Sequence, residues 1–332
     1  MTYITNGLIQ ATDYNNFANG AQGNSIGNVW AVGGGDAGWG QSNIANVAAA
    51  GTVTATQWAT LVNNITTAGQ QTGQTLTSRT APVAGNTIAI LANVVNDINT
   101  VTVYRGNAVA SGTISTTWTG NTAKTSATGS GQAAWTITFT HVITFPSADQ
   151  ARYFWNAGGI VRIDMSKTST GTDHDPDWNT FIPTVGTLYM TGRVNFTAQT
   201  ISGVSYTGFT RVGGSGTPSP FQSTTGWYSL TGGAGATTMF QLNSTTVAYT
   251  GEYVRVTAAV NAGRTTLTLV TTWVDDGTSA PGTTSNISGG TDTASPYTAF
   301  GTAPAVLVRY VPPSTTYLTN SWGTPTIAAT VT

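Results

Sequence analysis

The chain has 332 residues, 39% of them hydrophobic, but only 7% are Asp, Glu, Lys or Arg, against about 25% in ordinary soluble domains. A net charge of -1 with no basic run argues against a nucleic-acid partner, and the absence of cysteine excludes disulfides, thiol catalysis and Cys-ligated metal. With Glu252 as its one glutamate and Lys124 and Lys167 as its only lysines, the chain must build its surface from hydroxyls and amides. That chemistry favours strands over solvated helices, and it suits a part packed into an assembly better than a free enzyme.

The start, "MTYITNGLIQ", has no basic segment followed by an apolar one, so no signal peptide is expected. No run reaches the roughly 18 apolar residues of a membrane span, so no membrane insertion is expected. An internal echo follows. "GLIQATDYNNFANG" (Gly7–Gly20) aligns without gaps with "GTVTATQWATLVNN" (Gly51–Asn64), matching Tyr14 to Trp58 and Phe17 to Leu61. An aromatic with an apolar residue three positions on is helical spacing. Thr12 and Thr56, or the residues just before them, are the expected N-caps. The Gly-rich loop Val32–Gln41 lies between the copies. It contains a formal G-x-G-x-x-G, but lacks the strand–helix context and the downstream acid of a dinucleotide site. A third helix is expected over Asn86–Arg105, on the stripe Ile88, Leu91, Val94, Val95, Ile98.

From residue 106 the period changes to two. Alternating runs such as "AAWTITFTHVITF", "EYVRVTAAV" and "TTLTLVTTWV" are separated by Gly, Ser, Asn or Pro, the pattern of an antiparallel sandwich or barrel. "NAGR" (Asn261–Arg264) reads as a hairpin turn. One stretch, "TFPSADQARYFWNAGG" (Thr144–Gly159), reads as a short helix among strands. Ser147 is the N-cap with Gln150 at N3, Ala151, Phe154 and Trp155 share a face, and Gly158 is the stop. The fold class expected is therefore mainly β: a small helical region over 1–105, then an antiparallel β-sandwich-like body over 106–332 with one short inserted helix.

Catalysis needs a positioned acid, base or nucleophile, and the inventory is thin. The sharpest polar cluster is "DHDPDW", where Asp173, Asp175 and Asp177 are candidate ligands for Ca²⁺ or another divalent ion, but without the Gly and distal Glu of an EF-hand. The alternative is a solvated turn. Asp149 and Arg152 read as a helix-start carboxylate and a packing Arg rather than a catalytic pair. No catalytic residue and no cofactor is assigned.

The segments "GLIQATDYNNF", "GWGQSNI", "VTATQWATLVNNI" and "VITFPSADQARYFWNAGGIVRI" resemble virion structural proteins of tailed bacteriophages, of the cyanophage and marine-phage type, over about the first 165 residues. The resemblance implies a non-enzymatic tail, baseplate or tail-fibre component. Its partners would be other virion proteins, and its location the virion, assembled in a host cytoplasm. Residues 1–105 would dock through Tyr14, Phe17, Trp58 and Leu61, while Tyr153 and Trp155 would face either the chain's own core or a neighbouring subunit. A homo-oligomer is expected, a trimer as first guess. The alternatives are a capsid decoration or head-fibre protein, a host-glycan-binding module using Trp178, Trp227 and Tyr228, and a depolymerase, which would need paired carboxylates.

Overall fold

The computed structural model describes residues 10–20, 25–32, 35–78, 80–84, 91–108, 121–123, 135–167, 175–192, 199–201, 204–245, 251–275 and 304–332. The helical region holds α1 (Ala11–Asn19), α2 (Gly27–Trp30), α3 (Ala55–Gln71) and α4 (Leu91–Tyr104). The internal echo is structural, since α1 and α3 begin at the aligned residues Ala11 and Ala55. Their caps are the aligned residues Gln10 and Thr54 rather than Thr12 and Thr56. A capping box fixes the start of α3. The Thr54 hydroxyl accepts from the Gln57 N–H at 3.3 Å, and the Gln57 side chain accepts from the Thr54 N–H at 2.9 Å. In α1 the Asp13 carboxylate accepts from the Gln10 N–H at 3.2 Å. The equivalent aromatics Tyr14 and Trp58 then meet, with ring centroids 6.2 Å apart, and Phe17 packs edge-on against Trp58. Val94, Ile98 and Val101 of α4 are buried, and α4 lies against α3. Ile88, and the side chain of Leu91, lie outside the described residues.

The remainder carries β1 (Asn121–Ala123), β2 (Trp135–Thr144), α5 (Ala148–Asn156), β3 (Ile160–Ser166), α6 (Asp175–Val185), β4 (Thr187–Met190), β5 (Gln199–Ile201), β6 (Val204–Tyr206), β7 (Phe209–Val212), β8 (Thr237–Asn243), β9 (Tyr253–Val260), β10 (Thr266–Asp275), β11 (Ala305–Val311) and β12 (Thr326–Val331). Two five-stranded antiparallel sheets form, in the orders β1-β11-β3-β4-β7 and β12-β2-β10-β9-β8, beside the two-stranded ribbon β5-β6. They do not close into a barrel. The period-two pattern is realised literally. In β10, Leu267, Leu269, Thr271, Trp273 and Asp275 are buried and their neighbours are not, and β9 alternates the same way. Both sheets contribute to one hydrophobic core. The β9–β10 hairpin turns at Asn261–Arg264, where the Asn261 side chain accepts from the N–H groups of Thr265 and Thr266.

Two expectations need correction. The fold is mixed rather than mainly β, since the described residues in strands only modestly outnumber those in helices. Among the described residues the β region also holds two α-helices, not one. α6 carries Pro176 and Pro183, which make the stretch look like a break. Proline is tolerated in a first turn, where its missing N–H would be unpaired anyway, whereas Pro183 lies inside the helix and carries the usual cost of about 3 kcal/mol. Tertiary contacts hold the helix. Trp178 stacks on Trp273 of β10, with ring centroids 5.6 Å apart and planes 2° from parallel. Its indole N–H donates to Asp275 Oδ2 at 3.3 Å.

α5 is terminated at both ends by its own sequence. The Ser147 hydroxyl accepts from the Gln150 N–H at 3.1 Å. At the other end Gly158 has φ 103°, and the Gly159 N–H returns to the Phe154 carbonyl at 2.8 Å, a Schellman stop. Two substitutions test these ends in denaturant unfolding. Ser147→Ala is expected to cost about 1 kcal/mol through its lost cap. Gly158→Ala should cost about 1–2 kcal/mol because an L side chain resists positive φ. A Gly158→Ala protein as stable as the parent would refute the assigned stop.

Candidate functional site

The polar contacts converge on α5. Arg152 donates from Nη2 to the Val32 carbonyl at 3.0 Å and from Nη1 to the Gly35 carbonyl at 3.2 Å, and pairs with Asp149 at 3.0 Å. Asn156 Nδ2 donates to the carbonyls of Asp36 and Gly38 at 2.8 and 3.0 Å, while its Oδ1 accepts from the Tyr228 hydroxyl at 3.0 Å. The Trp39 indole N–H donates to the Asn156 carbonyl at 3.0 Å. From α3, Gln71 Nε2 donates to the Ala157 carbonyl at 3.1 Å. The Gly-rich loop is therefore clasped, carbonyl by carbonyl, onto a helix more than a hundred residues away. Gly40 explains part of the loop's composition, because a Cβ there would lie 2.4 Å from the Tyr153 ring.

The clasp continues to the C-terminal segment. Gln41 donates from Nε2 to the Thr319 carbonyl at 3.0 Å, and its Oε1 accepts from the Thr319 N–H at 2.9 Å. Ser321 Oγ donates to the Trp39 carbonyl at 2.5 Å. Beneath it lies an aromatic cluster. Trp155 and Trp227 stack with centroids 5.5 Å apart, Phe145 packs on Phe154, Trp155 and Trp227, and Phe154 meets Tyr310 of β11 at 5.9 Å. Buried aromatic pairs of this kind contribute about 0.5–1.5 kcal/mol each beyond area burial.

These placements decide how the expected site residues are used. Tyr14, Phe17, Trp58 and Leu61, read as docking contacts, are each at most 3% exposed and pack inside the chain. Their apolar surface is spent within the protomer, so docking through them would require α1 and α3 to separate. Burial also raises the Tyr14 phenol pKa. Tyr153 and Trp155 likewise face the chain's own core. Trp178 and Trp227, offered as sugar platforms, are 0% and 1% exposed and stack on other indoles, so their faces are occupied. Asp173 and His174 lie outside the described residues. Asp175 and Asp177 fall in the first turn of α6, with side chains outside the described part.

Among the described residues one charged cluster stands apart from the clasp. Arg162 of β3 and Arg309 of β11 are direct cross-strand partners, a repulsive placement. Asp164 resolves it by accepting from Arg162 Nε and Nη2 at 2.9 and 2.7 Å and from Arg309 Nη2 at 2.7 Å. Thr187 of β4 donates to the same carboxylate at 3.2 Å. The cluster fastens three strands of one sheet. Residues that the sequence reading missed are Trp39, Gln41, Gln71 and Asn156. Their one visible signal is a lone Trp and Gln inside an otherwise small-residue loop.

No protein-family model matches the chain, and no curated protein and no solved structure is significantly similar to it.

Trp155→Ala should cost about 3–5 kcal/mol, as for a large aromatic removed from a core, and should lower the stability of the isolated protomer. A variant folded as stably as the parent would refute the core placement. Arg152→Met leaves the carbonyls of Val32 and Gly35 without their donor. Hydrogen exchange should then rise in residues 31–41 while the β9–β10 amides stay protected. Unchanged exchange in the loop would sink the clasp.

Proposed function

We propose that the chain is a non-enzymatic structural component of a tailed-phage virion, of the tail, baseplate or tail-fibre type. Residues 1–105 attach it, and the rest projects as an antiparallel β-sandwich. The observation that carries this reading is the clasp. Arg152, Asn156 and Gln71 tie the helical region to the body through backbone carbonyls, so a load on one part passes to the other through these bonds. The likeness of the segments Gly7–Phe17, Gly38–Ile44, Val53–Ile65 and Val142–Ile163 to phage virion proteins supports the same reading.

Two observations support the sandwich. Residues of both sheets share one core, and the edge strands β1 and β12 lie beside each other, as they would where two sheets pack face to face. The free edge of β8 is covered as well. Backbone bonds run from Ser219 and Gln222 to the carbonyls of Gln241 and Met239, and from Gln241 to that of Pro220. Covering an edge protects a β protein against unwanted pairing at high local concentration.

Mass spectrometry of purified particles, followed by cryo-electron microscopy, tests the proposal. The chain should be present in stoichiometric amount, with density at the tail and the helical region at the point of attachment. Light scattering of the purified chain should give a homo-oligomer, a trimer first. Absence from washed particles, together with a monomer that binds no virion component, would overturn the proposal; density on the capsid would overturn the tail assignment alone.

A further inference from the structure

The two five-stranded sheets turn different chemistry outward. The outer face of β1-β11-β3-β4-β7 carries Arg162, Asp164 and Arg309, bonded to one another. The outer face of β12-β2-β10-β9-β8 is dominated by threonine. From Thr136 to Thr144 in β2 and from Thr266 to Val274 in β10, every outward position is Thr or Val. Each is exposed or half-exposed, while the positions between them are buried. The register sets these side chains in rows. Ala328, Val142, Thr268 and Ala259 lie side by side across β12, β2, β10 and β9, and Thr140 and Val270 are neighbours in the next row. No outward position of β12, β2 or β10 carries a charge. The one outward charge among the described residues of this sheet is Arg255 of β9, which lies over the Tyr253 ring, 5.3 Å from its centre.

The solvated side of an antiparallel sheet ordinarily bears charges, and these keep copies apart. Thr instead presents a methyl and a hydroxyl from one Cβ. The hydroxyl both donates and accepts, so a row of Thr satisfies an identical row. The methyl groups, with Val142 and Val270, supply apolar area to the same contact. Such a face is its own complement, whereas a charged partner would find no counter-charge on these three strands. Size points the same way. Five strands of six to ten residues, about 4.8 Å apart and about 20–34 Å long, make a face of roughly 600–700 Å². Each partner in a standard interface buries roughly 800 Å². Sheets of one hand of twist also stack face to face at a regular angle, so a second copy matches the shape as well as the chemistry.

We infer that copies of this chain meet through the outer face of β12-β2-β10-β9-β8, which is turned toward the axis of the homo-oligomer. The inference rests on the self-assembly proposed above and names the surface that carries it.

Analytical ultracentrifugation of the full chain tests it. Thr140→Arg and Thr268→Arg each place a cation in the middle of the face, at half-exposed positions where the protomer should still fold. Each should raise the concentration at which the oligomer dissociates about tenfold or more, because like charges then meet across the contact. Thr224→Arg, on an exposed loop, should leave dissociation unchanged. The chain has no cysteine, so Thr140→Cys supplies a single thiol on the same face with little change of shape. Its labelling by a maleimide should be about tenfold slower in the oligomer than after dilution to protomers, since a covered thiol is inert. Thr224→Cys should label equally in both states. If the Arg variants misfold, the labelling decides. A monomeric parent, unchanged dissociation in either folded Arg variant, or equal labelling of Thr140→Cys in both states would overturn the inference. Presence in particles answers a separate question. A chain found there with this face freely labelled removes the inference and leaves the virion reading, and a chain absent from particles that still associates through this face does the reverse.

Discussion

The structure depends on how α5 satisfies backbone carbonyls that do not belong to it. A loop as rich in glycine as Val32–Gln41 pays a large entropic cost for a single conformation, and its backbone polar groups need partners when buried. Arg152 and Asn156 meet four of its carbonyls from one helix face. The opposite face of α5 enters the aromatic cluster through Ala151, Phe154 and Trp155. The short helix therefore joins a polar latch to an apolar anchor. This explains why its ends are so firmly specified: a helix one turn longer or shorter would move Asn156 off the loop.

The same device recurs elsewhere in the chain. Asn15 bonds both backbone groups of Val47, donating to its carbonyl at 2.9 Å and accepting from its N–H at 2.8 Å. Gln41 does the same at Thr319. A primary amide offers a donor and an acceptor in the geometry of a peptide unit, so it can act as a one-residue strand for a segment that has no sheet partner. The composition leads one to expect amides mainly on the surface. Several are instead structural staples between segments far apart in sequence.

Much of the architecture was legible. Period-two burial was written plainly into β9 and β10, and α5 was readable down to Ser147 and Gly158 because caps and stops are local chemistry. The echo of Gly7–Gly20 in Gly51–Asn64 located two helix starts at matching residues. What could not be read was direction and partnership. The spacing of Tyr14, Phe17, Trp58 and Leu61 says that they share an apolar face, but not that the two copies cover each other. The helix α6 was hidden by Pro176 and Pro183, and its stability comes from Trp178 meeting Trp273 nearly a hundred residues later. The placement of β11 between β1 and β3 likewise depends on contacts between segments remote in sequence, which no local pattern encodes.

The scarcity of charge takes on a physical meaning in this setting. Arg152, Arg211, Arg264 and Arg105 each donate to backbone carbonyls, while Arg162 and Arg309 share Asp164. A planar guanidinium with five donors can hold several carbonyls at once, which an ammonium on a flexible stem does less precisely. This accounts for a basic inventory dominated by arginine, with only two lysines. Charges placed this way are consumed in closing loops and strands, and they leave an outer surface of Thr, Ser and Asn with little long-range field. Such a surface neither steers a charged substrate nor repels a neighbouring copy, so selectivity for any partner has to come from shape and from neutral hydrogen bonds.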